Sequence, residues 1–395
     1  MEEVRSNGDV ILLNKYQKRY GKANYASIVV SQKEIRRAFT EVDNEYIASI
    51  NQMIKSITLV HQAQLKIKRE EVVCTEREVF VWREWRAIEK VGLYIPGGKA
   101  IYPSSVLMTA IPAKIAGCRE IIICSPPGAE GRIPSTTLVA ADMLGIKKIY
   151  KVGGAEAIAA MTYGTATIPA VYKVFGAGNS YVTAAKILAL ETIAIDMPAG
   201  PSEVFIIADE SANPRFIAAD LLADGEHGED SACVLLTTSQ TIAEKTIIEI
   251  EKQLPSLATA ERVKKSLLQY GLIATVDSLA EAIRFTNAYA PEHLELMTRN
   301  NQKLVKEIQN AGSVFMGSWT TKSSGDYATG ANHVLPTGGA AKMYPPLGVD
   351  AFGKWMQVQK CTKDGLKKIR DTIEVIADTE QLPGHKNATA IRFMP

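Results

Sequence analysis

Four of the chain's five histidines stand in short polar motifs of the kind that binds metal or moves protons. These are Asp224-Gly225-Glu226-His227, Pro291-Glu292-His293, the stretch from Asp326 to His333, and His385. Imidazole is the commonest neutral metal ligand and the side chain whose proton equilibrium lies nearest neutrality, so its gathering beside carboxylates points to a metal-assisted enzyme. Asp224 and His227, three residues apart at a predicted helix end, can project from one face toward a single ion. The bland alternative is a helix end carrying acid groups and a solvated His. Glu292 and His293 fall at a predicted helix-to-strand junction, where each can serve as a general acid or base; a structural His paired to its neighbour is the alternative. Asp326 and His333 flank a polar, glycine-bearing loop after the strand at Val314. Loops at the carboxyl ends of parallel strands are where α/β folds place ligands, although an ordinary surface turn would read the same way.

Two glycine-rich segments add a second chemistry. Tyr94-Ile95-Pro96-Gly97-Gly98-Lys99 and Phe175-Gly176-Ala177-Gly178-Asn179 could offer backbone N–H groups to a phosphate or dinucleotide, yet neither completes Gly-x-Gly-x-x-Gly, and a tight turn needing positive φ explains them equally. Pro198-Ala199-Gly200-Pro201-Ser202-Glu203 suits a hinge or domain crossing, with Ser202 available to hydrogen-bond a substrate.

The elements that must position these residues follow from hydrophobic periodicity. Residues 1 to about 70 carry helix-spaced apolar positions, such as Ile35, Phe39 and Val42, and predict a helical N-terminal segment. From about 90, β-rich runs at 120–124, 148–152, 171–175, 203–207, 233–237, 272–276 and 313–316 alternate with helical stretches, among them 214–223, 242–254, 279–288 and 302–309. Strands spaced by helices predict an α/β fold with two Rossmann-like parallel-sheet domains. After about 350 the strands are expected to stop, leaving a small C-terminal helical module: one amphipathic helix at 363–377, then a polar segment with Glu380 and His385. The expected domains are 1–93 with 204–347, 94–203, and the tail 348–395.

The bulk composition narrows the class. A length of 395 residues with 46% hydrophobic content supports more than one domain. Lys and Arg number 45 against 43 Asp and Glu, a net charge of +2 with no dense basic block, so the footprint of a nucleic-acid binder is missing. Five scattered cysteines without a Cys-x-x-Cys pair fit reduced thiols in a cytoplasmic protein. No apolar run approaches the roughly 20 residues needed to cross a bilayer, and no signal-like start opens the chain, so neither secretion nor membrane insertion is expected.

Taken in order, the motifs resemble the histidinol dehydrogenase family of zinc- and NAD-dependent enzymes. The most specific segments are Val91-Gly92-Leu93-Tyr94-Ile95-Pro96-Gly97-Gly98, Ile195-Asp196-Met197-Pro198-Ala199-Gly200-Pro201-Ser202-Glu203-Val204, Ala290-Pro291-Glu292-His293-Leu294, Gly325-Asp326-Tyr327, Asn332-His333-Val334-Leu335-Pro336-Thr337 and His385-Lys386-Asn387. The resemblance implies one zinc per subunit on Asp224, His227, Asp326 and His385. It implies Glu292 and His293 as the acid/base pair. Ser202, His333 and Glu380 would contact substrate together with Asp224, His227, His293, Asp326 and His385, while Tyr94, Glu156 and Asn179 would touch NAD, making 94–203 the cofactor domain. It further implies a homodimer in which the tail is swapped and His385 acts in trans. The chain departs from the family's usual residues at Asp224 and Glu156, both commonly Gln, and at Met343-Tyr344-Pro345-Pro346.

The implied reaction is oxidation of L-histidinol, a small amino alcohol, to L-histidine through histidinaldehyde, the closing chemistry of histidine biosynthesis. His293 would take the hydroxyl proton and Glu292 would activate the water that attacks the aldehyde. Rival readings are a paralogue oxidising another polar alcohol, such as a sulfonated diol, and a catalytically silent homologue.

Overall fold

The computed structural model describes residues 1–20, 27–64, 68–97, 101–128 and 130–394; Gly98 and Lys99 of the first glycine-rich segment lie outside them. Along the chain the helices are α1 (Glu2–Tyr20), α2 (Gln32–Thr40), α3 (Asn44–Gln62), α4 (Pro103–Ala116), α5 (Ser135–Met143), α6 (Gly154–Tyr163), α7 (Ser180–Ala189), α8 (Pro214–Gly225), α9 (Gln240–Gln253), α10 (Ala260–Tyr270), α11 (Leu279–Tyr289), α12 (Asn301–Leu304), α13 (Lys322–Tyr327), α14 (Lys363–Thr379) and α15 (Pro383–Ala390). The strands are β1 (Val73–Glu76), β2 (Val79–Ala87), β3 (Lys90–Tyr94), β4 (Glu120–Cys124), β5 (Lys148–Tyr150), β6 (Lys173–Phe175), β7 (Ala194–Ile195), β8 (Glu203–Ala208), β9 (Ala232–Thr237), β10 (Gly271–Thr275), β11 (His293–Met297), β12 (Ser313–Met316) and β13 (Gly353–Cys361). They fold into two compact units, Met1–Gln64 with Ile88–Phe352, and Leu65–Ala87 with Gly353–Pro395.

The larger unit holds two parallel five-stranded sheets, ordered β5-β4-β3-β6-β7 and β10-β9-β8-β11-β12. Numbered within each sheet, both read 3-2-1-4-5, so one doubly wound topology occurs twice. The expected boundary between residues 93 and 94 falls within β3, which pairs with both β4 and β6.

Parallel strands must be covered on both faces, and the sequence pays for this with uninterrupted apolar runs. All six residues of β8 are buried. Val204, Ile206 and Ala208 pack into one core with Cys233 and Leu235, while Phe205 and Ile207 pack into another with Leu294 and Leu296, the period-two alternation of a strand buried on two sides. The helices are punctuated by conventional signals. Pro214 opens α8 behind an Asn213 cap, and Ser278 caps α11. That helix ends on Ala290, whose φ of 61° is a left-handed conformation unusual for a residue with a Cβ. It turns the chain directly into Pro291-Glu292-His293.

The smaller unit corrects one expectation. The strands do not stop at about 350: β13 pairs antiparallel with β2 from Gly353↔Ala87 to Cys361↔Val79, and β1 completes a three-stranded sheet. Most of β13 is exposed, so its sequence carries no apolar alternation to betray it. The polar segment after α14 is likewise helical, and His385 lies exposed on α15. Among the described residues no helix is long and apolar enough to cross a membrane.

Candidate active site

A cavity of about 760 Å³ in the larger unit gathers most of the residues singled out by the sequence. The first sheet lends it the carboxyl ends of β3 and β6, through Tyr94 and Gly176 to Asn179. The second sheet lends it the opposite edge: Ser202, Ser231, Glu292 and His293 stand at the amino ends of β8, β9 and β11. The carboxyl-end rule thus holds for one sheet only. Asp326 also differs from expectation, since it sits in the last turn of α13 and not in a loop.

Glu292 and His293 are fixed by the neighbouring strand. The Glu203 N–H donates to Glu292 Oε2 at 2.9 Å, and the Glu292 N–H donates back to Glu203 Oε2 at 3.3 Å. His293 Nδ1 is 2.9 Å from the Glu203 carbonyl oxygen, which can only accept, so Nδ1 carries the proton and Nε2 keeps its lone pair. Buried Nε2 has no hydrogen-bond partner among the described residues; Asp326 Oδ1 is its nearest acid at 3.9 Å. Burial, reinforced by the charge of Lys322, pulls the imidazole down to about 4, so it is neutral near pH 7. Burial also pushes Glu292 well above the ordinary carboxylate range, with Asp224 adding to the push. Ser202 Oγ lies 3.0 Å from Asp224 Oδ1 and 3.1 Å from Glu292 Oε2. One hydroxyl proton can serve only one of these acids, and the second contact is satisfied when Glu292 carries a proton of its own.

Asp224, His227 and Asp326 gather around a residue absent from the expected set. Lys322 Nζ stands 2.8 Å from His227 Nε2, 3.1 Å from Asp224 Oδ1 and 3.0 Å from Asp326 Oδ2. Those are ammonium hydrogen-bond lengths, against roughly 2.0–2.2 Å for zinc to nitrogen or carboxylate oxygen. The ammonium carries only protons, so in its 2.8 Å contact the His227 Nε2 lone pair accepts and is taken, with the two carboxylates beside it as ion pairs. A divalent ion about 3 Å from this charge would meet a repulsion on the order of 10 kcal/mol at an effective dielectric of about 20. Among the described residues, no group of three or more His, Cys, Asp or Glu is arranged to hold a metal ion. As disposed here, the expected ligands fit an ammonium and do not fit zinc beside it. The one orphaned oxygen of the set, buried Asp224 Oδ2, does not alter that, since Oδ1 is the atom facing the convergence point.

The glycine turn is held by a second buried pair. Lys186 and Asp196, almost wholly inaccessible, form an ion pair whose two ends grip the same glycine: Lys186 Nζ donates to the Gly176 carbonyl at 2.9 Å, and the Gly176 N–H donates to Asp196 Oδ2 at 2.8 Å. Gly176 has φ 116°, and a Cβ there would lie 2.1 Å from the Tyr94 carbonyl oxygen, so no other residue fits. Helix α7 begins at this turn with Ala177, Gly178 and Ser180 facing the cavity, and its positive end suits an anionic ligand. Asn179 spends its side-chain oxygen as the α7 cap, accepting from the N–H groups of Tyr181 and Val182. Tyr94 OH accepts the Gly154 N–H at 3.1 Å. Glu156 lies in the first turn of α6 and does not line the cavity.

His333 lines the cavity with Nδ1 3.2 Å from the Asp326 carbonyl, which it donates to, and Nε2 3.4 Å from Ser105 Oγ. The fifth histidine, His61, is a core residue donating to the Ile57 carbonyl and accepting from Asn332. Glu380 and His385 belong to the smaller unit. Sequence reasoning missed Lys322; its one signal was a lysine four residues before Asp326, the spacing of one helical turn.

The family model described as histidinol dehydrogenase matches residues 1–393. A histidinol dehydrogenase of Bacteroides fragilis is 47% identical over 394 residues, which is 100% of this chain and 91% of that one. The corresponding protein of Bacteroides thetaiotaomicron is 46% identical over 394 residues with the same coverage, 100% and 91%. Among solved structures, histidinol dehydrogenase from Elizabethkingia anophelis superposes with a TM-score of 0.94 at 45% identity, over 99% of this chain and 90% of that one.

Proposed function

The chain belongs to the histidinol dehydrogenase family, and from that premise we propose that its cleft oxidises L-histidinol to L-histidine through histidinaldehyde, in two hydride transfers to NAD. The observation that carries this reading is the buried acid–imidazole pair: a neutral, cavity-lining His293 whose Nε2 has no hydrogen-bond partner among the described residues, next to a Glu292 of raised proton affinity. The relatives favour histidinol over another polar alcohol.

NAD, when bound at the α7 turn, supplies the acceptor for hydride in each half. Tyr94 and Asn179 are the residues proposed to meet it, with Glu156 further back on α6, and 94–203 is proposed as the cofactor half. In the first half His293 Nε2 accepts the hydroxyl proton while the Glu203 carbonyl holds Nδ1–H and fixes the ring. In the second, Glu292 receives a proton of the water that adds to the aldehyde; a carboxylate of raised proton affinity is a stronger base once ionised. Ser202 and His333 are proposed to hold the substrate's polar groups, with the acids Asp224 and Asp326 complementing its amine. The resemblance brings zinc with it, but Lys322 stands among the ligands, and no step here is routed through a metal.

We further propose a homodimer in which the tail 348–395 completes the partner's site through Glu380 and His385. Supporting this, His385 is exposed, and the same arm leaves Val375, Ile376, Ile391 and Met394 largely uncovered, more apolar surface than a solvated arm needs.

The purified protein with L-histidinol and NAD tests the reaction. Two NADH per histidinol, with L-histidine as product, is the expected result. No turnover, or a single NADH with the aldehyde as final product, refutes the two-step reading.

A further inference from the structure

We propose that Lys322 is this chain's resident cation: its ammonium, held by Asp224, Asp326 and His227, fills the point on which the expected metal ligands converge, and the site is assembled without a divalent ion. The inference rests on reading this cleft as the dehydrogenase's own.

Three observations carry it. The three partners stand at N–H donor distances, one a hydrogen bond to His227 Nε2 at 2.8 Å and two ion pairs, to Asp224 Oδ1 at 3.1 Å and Asp326 Oδ2 at 3.0 Å. The lysine is held before any ligand arrives: it begins α13 behind the Thr321 cap, its own N–H donates to Glu295 Oε1 at 3.1 Å, and its side chain is 2% exposed. The electrostatics are those of a closed cage, since two carboxylates face one cation and the imidazole adds a lone pair.

Functionally Lys322 acts as a positioning residue. It pairs with His227 and Asp326 at the cavity wall and with the buried Asp224. A substrate amine approaching Asp224 and Asp326 would thus meet acids already half-neutralised. A divalent ion could enter only by displacing the ammonium from all three partners at once.

Metal content and metal spectroscopy decide the matter independently of turnover. The wild-type chain, exposed to excess Zn2+ and desalted, should retain less than about 0.1 zinc per chain, and Co2+ should give no tetrahedral d–d absorption. Turnover of histidinol should be unchanged within about twofold by a chelator. Lys322→Ala, which empties the cage, should gain close to one zinc per chain and the cobalt bands, and Asp326→Asn in that background should remove them. The proposal is overturned if wild-type protein holds stoichiometric zinc that Asp326→Asn releases, or if the chelator abolishes turnover. Should Lys322→Ala not fold, the wild-type measurements still decide. Absence of turnover under every metal condition would sink the dehydrogenase reading and leave the zinc count to judge Lys322 alone.

Discussion

Replacing Lys186 with Met should destabilise the protein and weaken cofactor binding together, because one buried pair holds both the core and the glycine turn. The exposure of the two side chains is 2% and 1%, so removing the lysine strands a carboxylate that water cannot reach. Breaking a buried pair from one side costs about 3–5 kcal/mol. Asp196 would keep two backbone donors, Gly176 N–H at 2.8 Å and Met197 N–H at 2.7 Å, which places the expected loss near the lower end, about 3 kcal/mol. The freed Gly176 carbonyl loosens the turn that lines the cavity, and a loss of about 1.4 kcal/mol in cofactor binding corresponds to a tenfold rise in KM for NAD. Urea unfolding and steady-state kinetics measure the two effects. The double variant Lys186→Met/Asp196→Asn removes both charges and should regain at least half of the lost stability, since an uncharged pair leaves no stranded ion. A single variant that loses under about 1 kcal/mol, or a double variant no better than the sum of its singles, would refute the reasoning.

Two further outcomes follow from the buried acids and the imidazole. His293→Asn should lower kcat by about 10²–10⁴ while leaving KM for NAD within a few-fold, the range expected for losing a general base; steady-state kinetics that show kcat within threefold of wild type would remove His293 from proton transfer. Asp220, raised to about 6 by burial against the lowering effect of its hydrogen bond with Glu295, binds its proton more tightly folded than unfolded. Its contribution is therefore complete below the unfolded value near 4 and is lost as pH rises through about 6, a decline of up to about 3 kcal/mol. Asp220→Asn should flatten the fall in melting temperature between pH 5 and 8, and an unchanged slope would exclude that carboxyl as its source.

The two sheets were legible because their central strands, such as β8 and β11, are buried on both faces. Within Glu120-Ile121-Ile122-Ile123-Cys124 the three consecutive isoleucines leave no polar position to confuse the period, and 203–207 and 313–316 coincide with β8 and β12 to within a residue. The small antiparallel sheet was not legible, because β2 and β13 mix Trp, Arg, Glu, Lys and Gln on surfaces that are mostly half-buried in β2 and mostly exposed in β13, so burial imposes no alternation there. Helix α13 was read as a loop on account of Gly325, a poor helix former. The glycine is there for space: a Cβ would lie 2.6 Å from the Phe315 ring. The acid and imidazole members of the site declared themselves by type, whereas Lys322 did not. A lone lysine reads as surface until its three acceptors, distant in sequence, are seen around it.

The use of opposite edges by the two sheets leaves the carboxyl rim of the second sheet outside the cavity. The turns after β8, β9 and β11, at 209–213, 238–239 and 298–300, lie at the strand ends facing away from Glu292 and His293. In the first sheet the turns after β3 and β6 line the cavity. The repeated topology has therefore split its labour, and the second copy's carboxyl rim is where sequence can drift, lengthen or accept a fused reporter while the cleft keeps its geometry.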